Sequence, residues 1–322
     1  MTQAQHPFEK GLISVIAGNY NTPVRFVKKA IDSVLKQTYQ NFEFIIVDDC
    51  STDDSLETIK SYDDPRIKIL STEKNSGLAT ALNKAFEVCR GEYIARMDLD
   101  DICFPDRFEK QIAFMRANPD VILCGTQIRY IDDAGHSPRG DRTTGFKVDR
   151  DEYRIYLLFA NNPLIIHPTW MFNSKLLFRY GIRYKEQYKY SQDYAMLVSC
   201  AKHGRCAVLP DVLLKYRVHD ASASGMHKQK QRKYVYQIIQ EQLDDLHLII
   251  PEDLLPLHHR YLQSAKLYDK RMKHWLDNII KANEKYHVYD QDKLKSIIRK
   301  RWIKSKIKAG YHHLFNINTE YK

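Results

Sequence analysis

No stretch of this chain reaches the roughly 18 consecutive apolar residues that a bilayer-spanning helix needs. The opening MTQAQHPFEKG has no apolar core of the secretory-signal kind. On those grounds the expected location is the cytoplasm, or the cytoplasmic face of a membrane. Cysteine is sparse and scattered: Cys50, Cys89, Cys103, Cys124, Cys200 and Cys206 form no CxxC pair and no zinc-like spacing. Free thiols are the expectation, and neither a disulfide framework nor a zinc site is supported. No internal repeat and no low-complexity tract occurs.

Excess charge of either sign is lacking from most of the chain and confined to one region. Residues 226–322 hold 20 Lys+Arg against 11 Asp+Glu, a net of +9, within a whole-chain charge of +10. The first 225 residues are therefore close to neutral. A nucleic-acid enzyme more often spreads positive charge over its working surface, so no nucleic-acid partner is expected.

The first half alternates apolar runs with helical patterns. Strands are predicted at Leu12–Ala17, Glu43–Val47, Arg66–Leu70, Glu92–Met97 and Val121–Ile131. Helices are predicted from Pro23, from the polar cluster Ser51 to Asp54, over Leu78–Val88, and from Pro105-Asp106 through Met115. Such repetition predicts an α/β fold, a mostly parallel sheet flanked by helices. Arg139 to Arg150 reads as a mobile loop, and 153–219 as a continuation of the first domain. Beyond about Ser224 only helical patterns remain. The expected domains are thus 1–225 and a basic, all-helical extension over 226–322.

Two acidic clusters end strands: Asp48-Asp49, and Asp98-Leu99-Asp100-Asp101. In open α/β sheets ligands bind at that edge. An Asp-x-Asp there directs two hard oxygen ligands at one Mg²⁺ or Mn²⁺, whose remaining shell phosphate and water can fill. Asp49 at a strand end can accept from a uracil N–H or a ribose hydroxyl. Ser51 or Asp53 is expected to cap the following helix. Asp193, in Tyr190-Ser191-Gln192-Asp193, opens a helix, where an acid ordinarily reflects dipole electrostatics alone.

SVIAGNYN, SVLKQTYQNFE, IIVDDCSTDDS, NSGLATALNKAF, GEYIARMDLDDICFPDRFEKQ, HPTWMF, QDYAMLVSCAKHG and LLKYRVH follow one another across roughly residues 11–220. Together they resemble glycosyltransferase family 2, the inverting enzymes of GT-A fold with a Rossmann-like nucleotide-binding half. The resemblance implies that Tyr20 and Asn21 lie near the nucleotide base and that Asp49 contacts uracil or ribose. Asp98 and Asp100 resemble the metal-holding pair, Asp100 being the more direct ligand. Asp193 falls at the general base, His219 where some members bring a histidine to the metal or diphosphate, and His167 on the acceptor side. The chain departs from the pattern at Ala17-Gly18-Asn19, where Pro-Thr or Pro-Val is usual. Gln192 stands where Glu is common, and Leu82 where many members carry Arg.

The resemblance implies transfer from a nucleotide diphosphate sugar, read as a UDP-sugar, to a glycan or lipid-linked hydroxyl. Asp193 would take the acceptor's proton, and a cation would answer the leaving diphosphate. A sugar nucleotidyltransferase is the enzymatic alternative, but AGNYNTP is not its Gly-rich phosphate loop. A non-catalytic nucleotide-sugar or glycan-binding relic is the other, and it need not retain Asp98, Asp100 and Asp193 together. In the tail, the acid-free run Lys293–Lys308 lies beside a stripe of Leu294, Ile297, Ile298 and Trp302. That is the pattern of a basic amphipathic helix on an anionic membrane, or of a solvated helix packed on its neighbours. Arg301-Trp302 matches part of the processive-synthase QxxRW motif, but Ile298 occupies the Gln position.

Overall fold

The computed structural model describes residues 8–137, 141–142, 150–160, 165–218, 228–262 and 269–317, with backbone alone at 142, 228 and 308–317. The expected mobile loop 139–150 therefore lies largely outside the described residues. Two compact units emerge: Met1–Val148 with Leu164–Lys228, and Asp149–Pro163 with Gln229–Lys322.

In chain order the first unit begins with β1 (Glu9–Asn19), α1 (Val24–Leu35), β2 (Phe42–Asp48), α2 (Ser55–Lys60), β3 (Ile67–Ser71), α3 (Leu78–Val88) and β4 (Gly91–Arg96). It continues with β5 (Ile102–Cys103), α4 (Arg107–Ala117), β6 (Val121–Ile131) and β7 (Asp141–Arg142). After α5 (Arg150–Leu158), which belongs to the second unit, come β8 (Met171–Asn173), α6 (Ser174–Arg179), α7 (Gln192–His203) and β9 (Arg205–Arg217).

The sheet has nine strands among the described residues, in the order β3-β2-β1-β4-β8-β6-β9-β5, with β7 on β6. β1 pairs in parallel with β2 and β4, and β2 with β3. All seven residues of β2 are buried, as expected of a strand covered on both faces. α1 turns Phe26, Val27, Ala30, Ile31 and Val34 inward. Beyond β4 the sheet is mixed: β8 runs antiparallel to β4 and β6, while β9 is parallel to β6. The register sets Asn19 level with Asp48, and Asp48 level with Ser71. The polar ends of three strands thus share one edge.

One helix start differs from the sequence reading. α2 begins at Ser55, not within Ser51–Asp54, and Ser51 is used elsewhere. Asp53 does serve the first turn, accepting from the Ser55 N–H at 3.0 Å.

The second unit is helical: α5, α8 (Lys228–Asp244), α9 (Leu255–Arg260), α10 (Lys270–Tyr286) and α11 (Gln291–Ile317). Its core gathers Ile155, Leu158 and Phe159 with Ile239, Leu243, Leu276, Leu294 and Ile298. Two sequence expectations are corrected here. Residues 150–160 pack with the helical unit rather than continuing the sheet unit. The stripe Leu294, Ile297, Ile298 and Trp302 faces this core, so it is not available to a membrane. At the centre, fully buried His258 is fixed as one neutral tautomer. Its Nδ1 accepts from Trp275 Nε1 at 3.0 Å, and its Nε2–H donates to the Leu158 carbonyl at 2.8 Å. Burial pushes its pKa down to about 4. Among the described residues no helix is long and apolar enough to cross a membrane.

Candidate active site

The β1 and β2 ends are tied together by side chains. Asn19 Nδ2 donates to Asp48 Oδ1 at 2.8 Å and lies within hydrogen-bond reach of the Ser51 and Ser55 hydroxyls. Asp48 Oδ2 accepts from the Ser51 N–H. Ser51 Oγ in turn accepts from the Asn21 N–H at 3.1 Å, and Asn21 Oδ1 accepts from the Thr52 N–H at 2.8 Å. Asn21 holds a left-handed backbone (φ 50°), which Asn tolerates better than most residues. Tyr20 is thereby left with half of its surface exposed (51%) at the strand end.

Asp49 is buried and anchors the β3–α3 turn. Its carboxylate accepts from Thr72 Oγ1 at 2.7 Å, the Ser76 N–H at 2.9 Å and the Gly77 N–H at 2.6 Å. Gly77 adopts φ 92°, a conformation open to glycine, and that places its N–H on the carboxylate. A carboxylate offers about four lone-pair sites, so roughly one remains for a ligand.

At the end of β4 the oxygens of Asp98, Asp100 and Asp101 lie within 4.8 Å of one another. Two arginines brace them. Arg96, 1% exposed, pairs through Nη2 with Asp98 Oδ1, and among the described residues its Nε and Nη1 have no hydrogen-bond partner. Arg217 donates its backbone N–H to Asp101 Oδ1 at 2.8 Å and its Nε to the Asp100 carbonyl at 2.7 Å. Asp101 Oδ2 is buried without a partner among the described residues. Burial, with Asp100 and Asp98 alongside, raises the Asp101 carboxyl well above its usual range. Burial raises Asp98 as well, against the opposing pull of Arg96. Fully buried Arg107 locks the strand end by donating to the Arg96 carbonyl at 2.7 Å.

Arg96 is also the charged neighbour of three groups from other elements: His167, Tyr184 and Asp193. Asp193 sits in the first turn of α7, its Oδ1 accepting from the Tyr194 N–H at 2.8 Å. Burial raises its carboxyl, while that N–H and Arg96 pull the other way. His167 Nε2 lies 2.9 Å from the Tyr184 hydroxyl, and its ring meets Trp170 edge-on at 4.5 Å. Burial, with Arg96 nearby, holds His167 well below the usual histidine range, so it is neutral.

Of the residues singled out in the sequence, Asp98, Asp100, Asp193 and His167 gather around Arg96. Tyr20, Asn21 and Asp49 form the adjoining β1–β2 end. His219 lies outside the described residues. Sequence reasoning missed Arg96, Tyr184 and Arg217, and saw Asp101 in the acidic cluster without giving it a role. An arginine inside the apolar run EYIARM was the available signal, because a charge on a strand covered on both faces must be paired.

Residues 14–181 match the family model for glycosyl transferase family 2. An uncharacterized glycosyltransferase of Methanocaldococcus jannaschii is 34% identical over 233 residues, 71% of this chain and 78% of that one. The amylovoran biosynthesis glycosyltransferase AmsE of Erwinia amylovora is 28% identical over 71% of this chain and 84% of its own. The fold is shared with S. aureus TarS solved with UDP-GlcNAc, at TM-score 0.61 and 17% identity over 94% of this chain and 91% of that one. It is shared too with the mannosyltransferase PcManGT of Pyrobaculum calidifontis, solved with GDP-Man and Mn²⁺, at TM-score 0.55 and 17% identity over 93% and 87%. The strand-end acids, the mixed sheet behind them and this similarity lead to one conclusion: the chain is a glycosyltransferase and belongs to glycosyltransferase family 2.

Proposed function

We propose that the chain transfers a sugar with inversion from a nucleotide diphosphate sugar, a UDP-sugar first, to a hydroxyl of a glycan or lipid-linked acceptor. The observation that carries this reading is the convergence of Asp193 and the three-carboxylate cluster on one buried arginine. Asp193 takes the proton of the acceptor hydroxyl as that oxygen bonds to the sugar C1 and the C1–O bond to the diphosphate breaks on the opposite face. Burial favours this role, since a carboxylate with a raised pKa is a stronger base, and general-base catalysis typically contributes 10²- to 10⁴-fold.

A Mn²⁺ or Mg²⁺ ion fits Asp98, Asp100 and Asp101. All three offer hard oxygens, these lie within 4.8 Å of one another, and Asp101 Oδ2 is buried unpaired. Such an ion supplies Lewis-acid stabilisation of negative charge on the departing diphosphate. Arg96 already occupies one Asp98 oxygen, and Asp100 is taken as the more direct ligand of the pair. Tyr20 offers an exposed ring for base stacking, and Asp49 one remaining acceptor for the uracil N–H or ribose. Asn21 acts by holding that turn in place. Neutral His167, braced by Tyr184, lines the acceptor side. The domain reading is a catalytic body over about residues 1–225 followed by a helical extension, with 150–160 contributed to that extension.

The test is a panel of UDP- and GDP-sugars assayed for metal-dependent hydrolysis and transfer, by wild type and Asp193→Asn. Metal-dependent turnover of one donor by wild type, lost in the variant while nucleotide binding persists, is the expected result. Turnover indifferent to chelator would remove the metal from the reading, and an active variant would remove the base.

A further inference from the structure

The outer face of α11 carries a pattern unrelated to the stripe buried beneath it. Ile303 and Ile307 are 57% and 54% exposed, one helical turn apart. Arg299, Lys300, Lys304 and Lys306 are exposed on the same helix. At about 100° per residue these six positions fill one arc of about 160°. The two isoleucines lie at its centre, Arg299 and Lys306 on one flank, Lys300 and Lys304 on the other. The opposite side holds the buried Leu294, Ile298 and Ser305. Arg301 belongs to that inward side, its Nε donating to the Tyr261 carbonyl at 2.9 Å. Residues 293–307 contain no acid, and among the described residues none of the four cations pairs with a carboxylate.

We infer that this face binds an anionic lipid bilayer, the isoleucines entering the headgroup–acyl boundary and the four cations meeting lipid phosphates. The chemistry favours a bilayer over an acidic protein. Protein interfaces centre on aromatic or arginine anchors in pockets. Here the centre is a branched aliphatic ridge, and the cations beside it have long stems that can lie along an apolar surface while their heads reach the phosphates.

The experiment is co-sedimentation of the full-length protein with phosphatidylcholine vesicles, alone or mixed with phosphatidylglycerol. Binding to the anionic vesicles alone is expected, and it should fade as salt shortens the Debye length. Lys300→Gln/Lys304→Gln should weaken it by about 30-fold, roughly five-fold per lysine. Ile303→Ser/Ile307→Ser should weaken it with all charges retained, and circular dichroism should show both variants folded, because none of the four side chains belongs to the core. The inference is overturned if the intact protein ignores anionic vesicles at low salt. It is overturned equally if the isoleucine variant binds like wild type, since the contact would then be diffuse attraction to a protein of net charge +10.

Discussion

Asp101→Asn should stabilise this protein in the absence of metal while weakening its response to metal. The substitution is nearly isosteric and keeps the acceptor that meets the Arg217 N–H at 2.8 Å. It replaces the unpartnered Oδ2 with an NH₂ able to donate to Asp98 or Asp100. What it removes is repulsion: two unit charges 4.8 Å apart, the outer bound for the cluster's ligand oxygens, cost about 1 kcal/mol in water and about 3.5 at an effective dielectric of 20. Protonation sets a ceiling. Holding a carboxyl neutral at pH 7 costs at most about 4 kcal/mol relative to its ordinary pKa near 3.9. The expected gain at pH 7 in EDTA is therefore about 1–4 kcal/mol.

The sign with pH follows from the raised carboxyl. An acid whose folded pKa lies above its unfolded one costs nothing below the unfolded value, and its cost grows as pH rises toward the folded value. The advantage of the variant should thus vanish near pH 4 and grow toward neutrality. Mn²⁺ at about 1,000 times its Kd should reverse the order, since it adds about 4.1 kcal/mol to the form that binds it. Scanning calorimetry at pH 4.5 and 7, with EDTA and with Mn²⁺, reads all four cases. An Asp101→Asn protein less stable than wild type in EDTA at pH 7 would refute the repulsion argument. A wild-type transition unmoved by Mn²⁺ or Mg²⁺ would refute the proposed metal site.

Asp193→Asn should retain UDP affinity by calorimetry and lose at least about 10²-fold in kcat. Because burial raises this carboxyl, the acid limb of the wild-type kcat–pH profile should lie above the ordinary value near 3.9. An α-linked donor should yield a β-linked product, read from the anomeric coupling in NMR; an α-product would exclude single inversion. For the helical unit, His258 with a folded pKa of about 4 against about 6.5 unfolded binds its proton more readily in the unfolded chain. Stability should fall by about 2 kcal/mol between pH 7 and pH 5, and substituting His258 by Gln should flatten that dependence in urea titrations.

The β1–β4 half of the sheet was legible because strands covered on both faces leave continuous apolar runs, each closed by polar residues where the chain emerges at the sheet edge. The other half was not. β5 and β8 span two and three residues, too few for any periodicity to register. β9 is interrupted by Pro210 and Asp211, where its register against β6 shifts, and a proline in a strand marks such an irregularity. In the tail, Leu294, Ile298 and Trp302 formed a visible stripe, but a stripe states only that something apolar covers it. The cover proved to be the core of the helical unit, closed in part by α5 from 140 residues upstream in the chain, roughly speaking.

The acids of the site were legible and the arginines that organise them were not, and charge explains the asymmetry. Carboxylates crowded at a strand end look anomalous, because like charges repel. An isolated arginine in sequence looks like ordinary surface. In the fold, Arg96 and Arg217 set two positive charges against Asp98, Asp100, Asp101 and Asp193, so ionisation of all four acids would leave an excess of two negative charges. Burial raises the carboxyls of Asp98, Asp101 and Asp193, and neighbouring acids add to the rise at Asp98 and Asp101. With the proposed divalent ion in place the charges would balance, and the added positive charge would favour the ionised form of Asp193. Metal and base would then be coupled through Arg96, so chelation should raise the apparent pKa of the base as well as remove the Lewis acid.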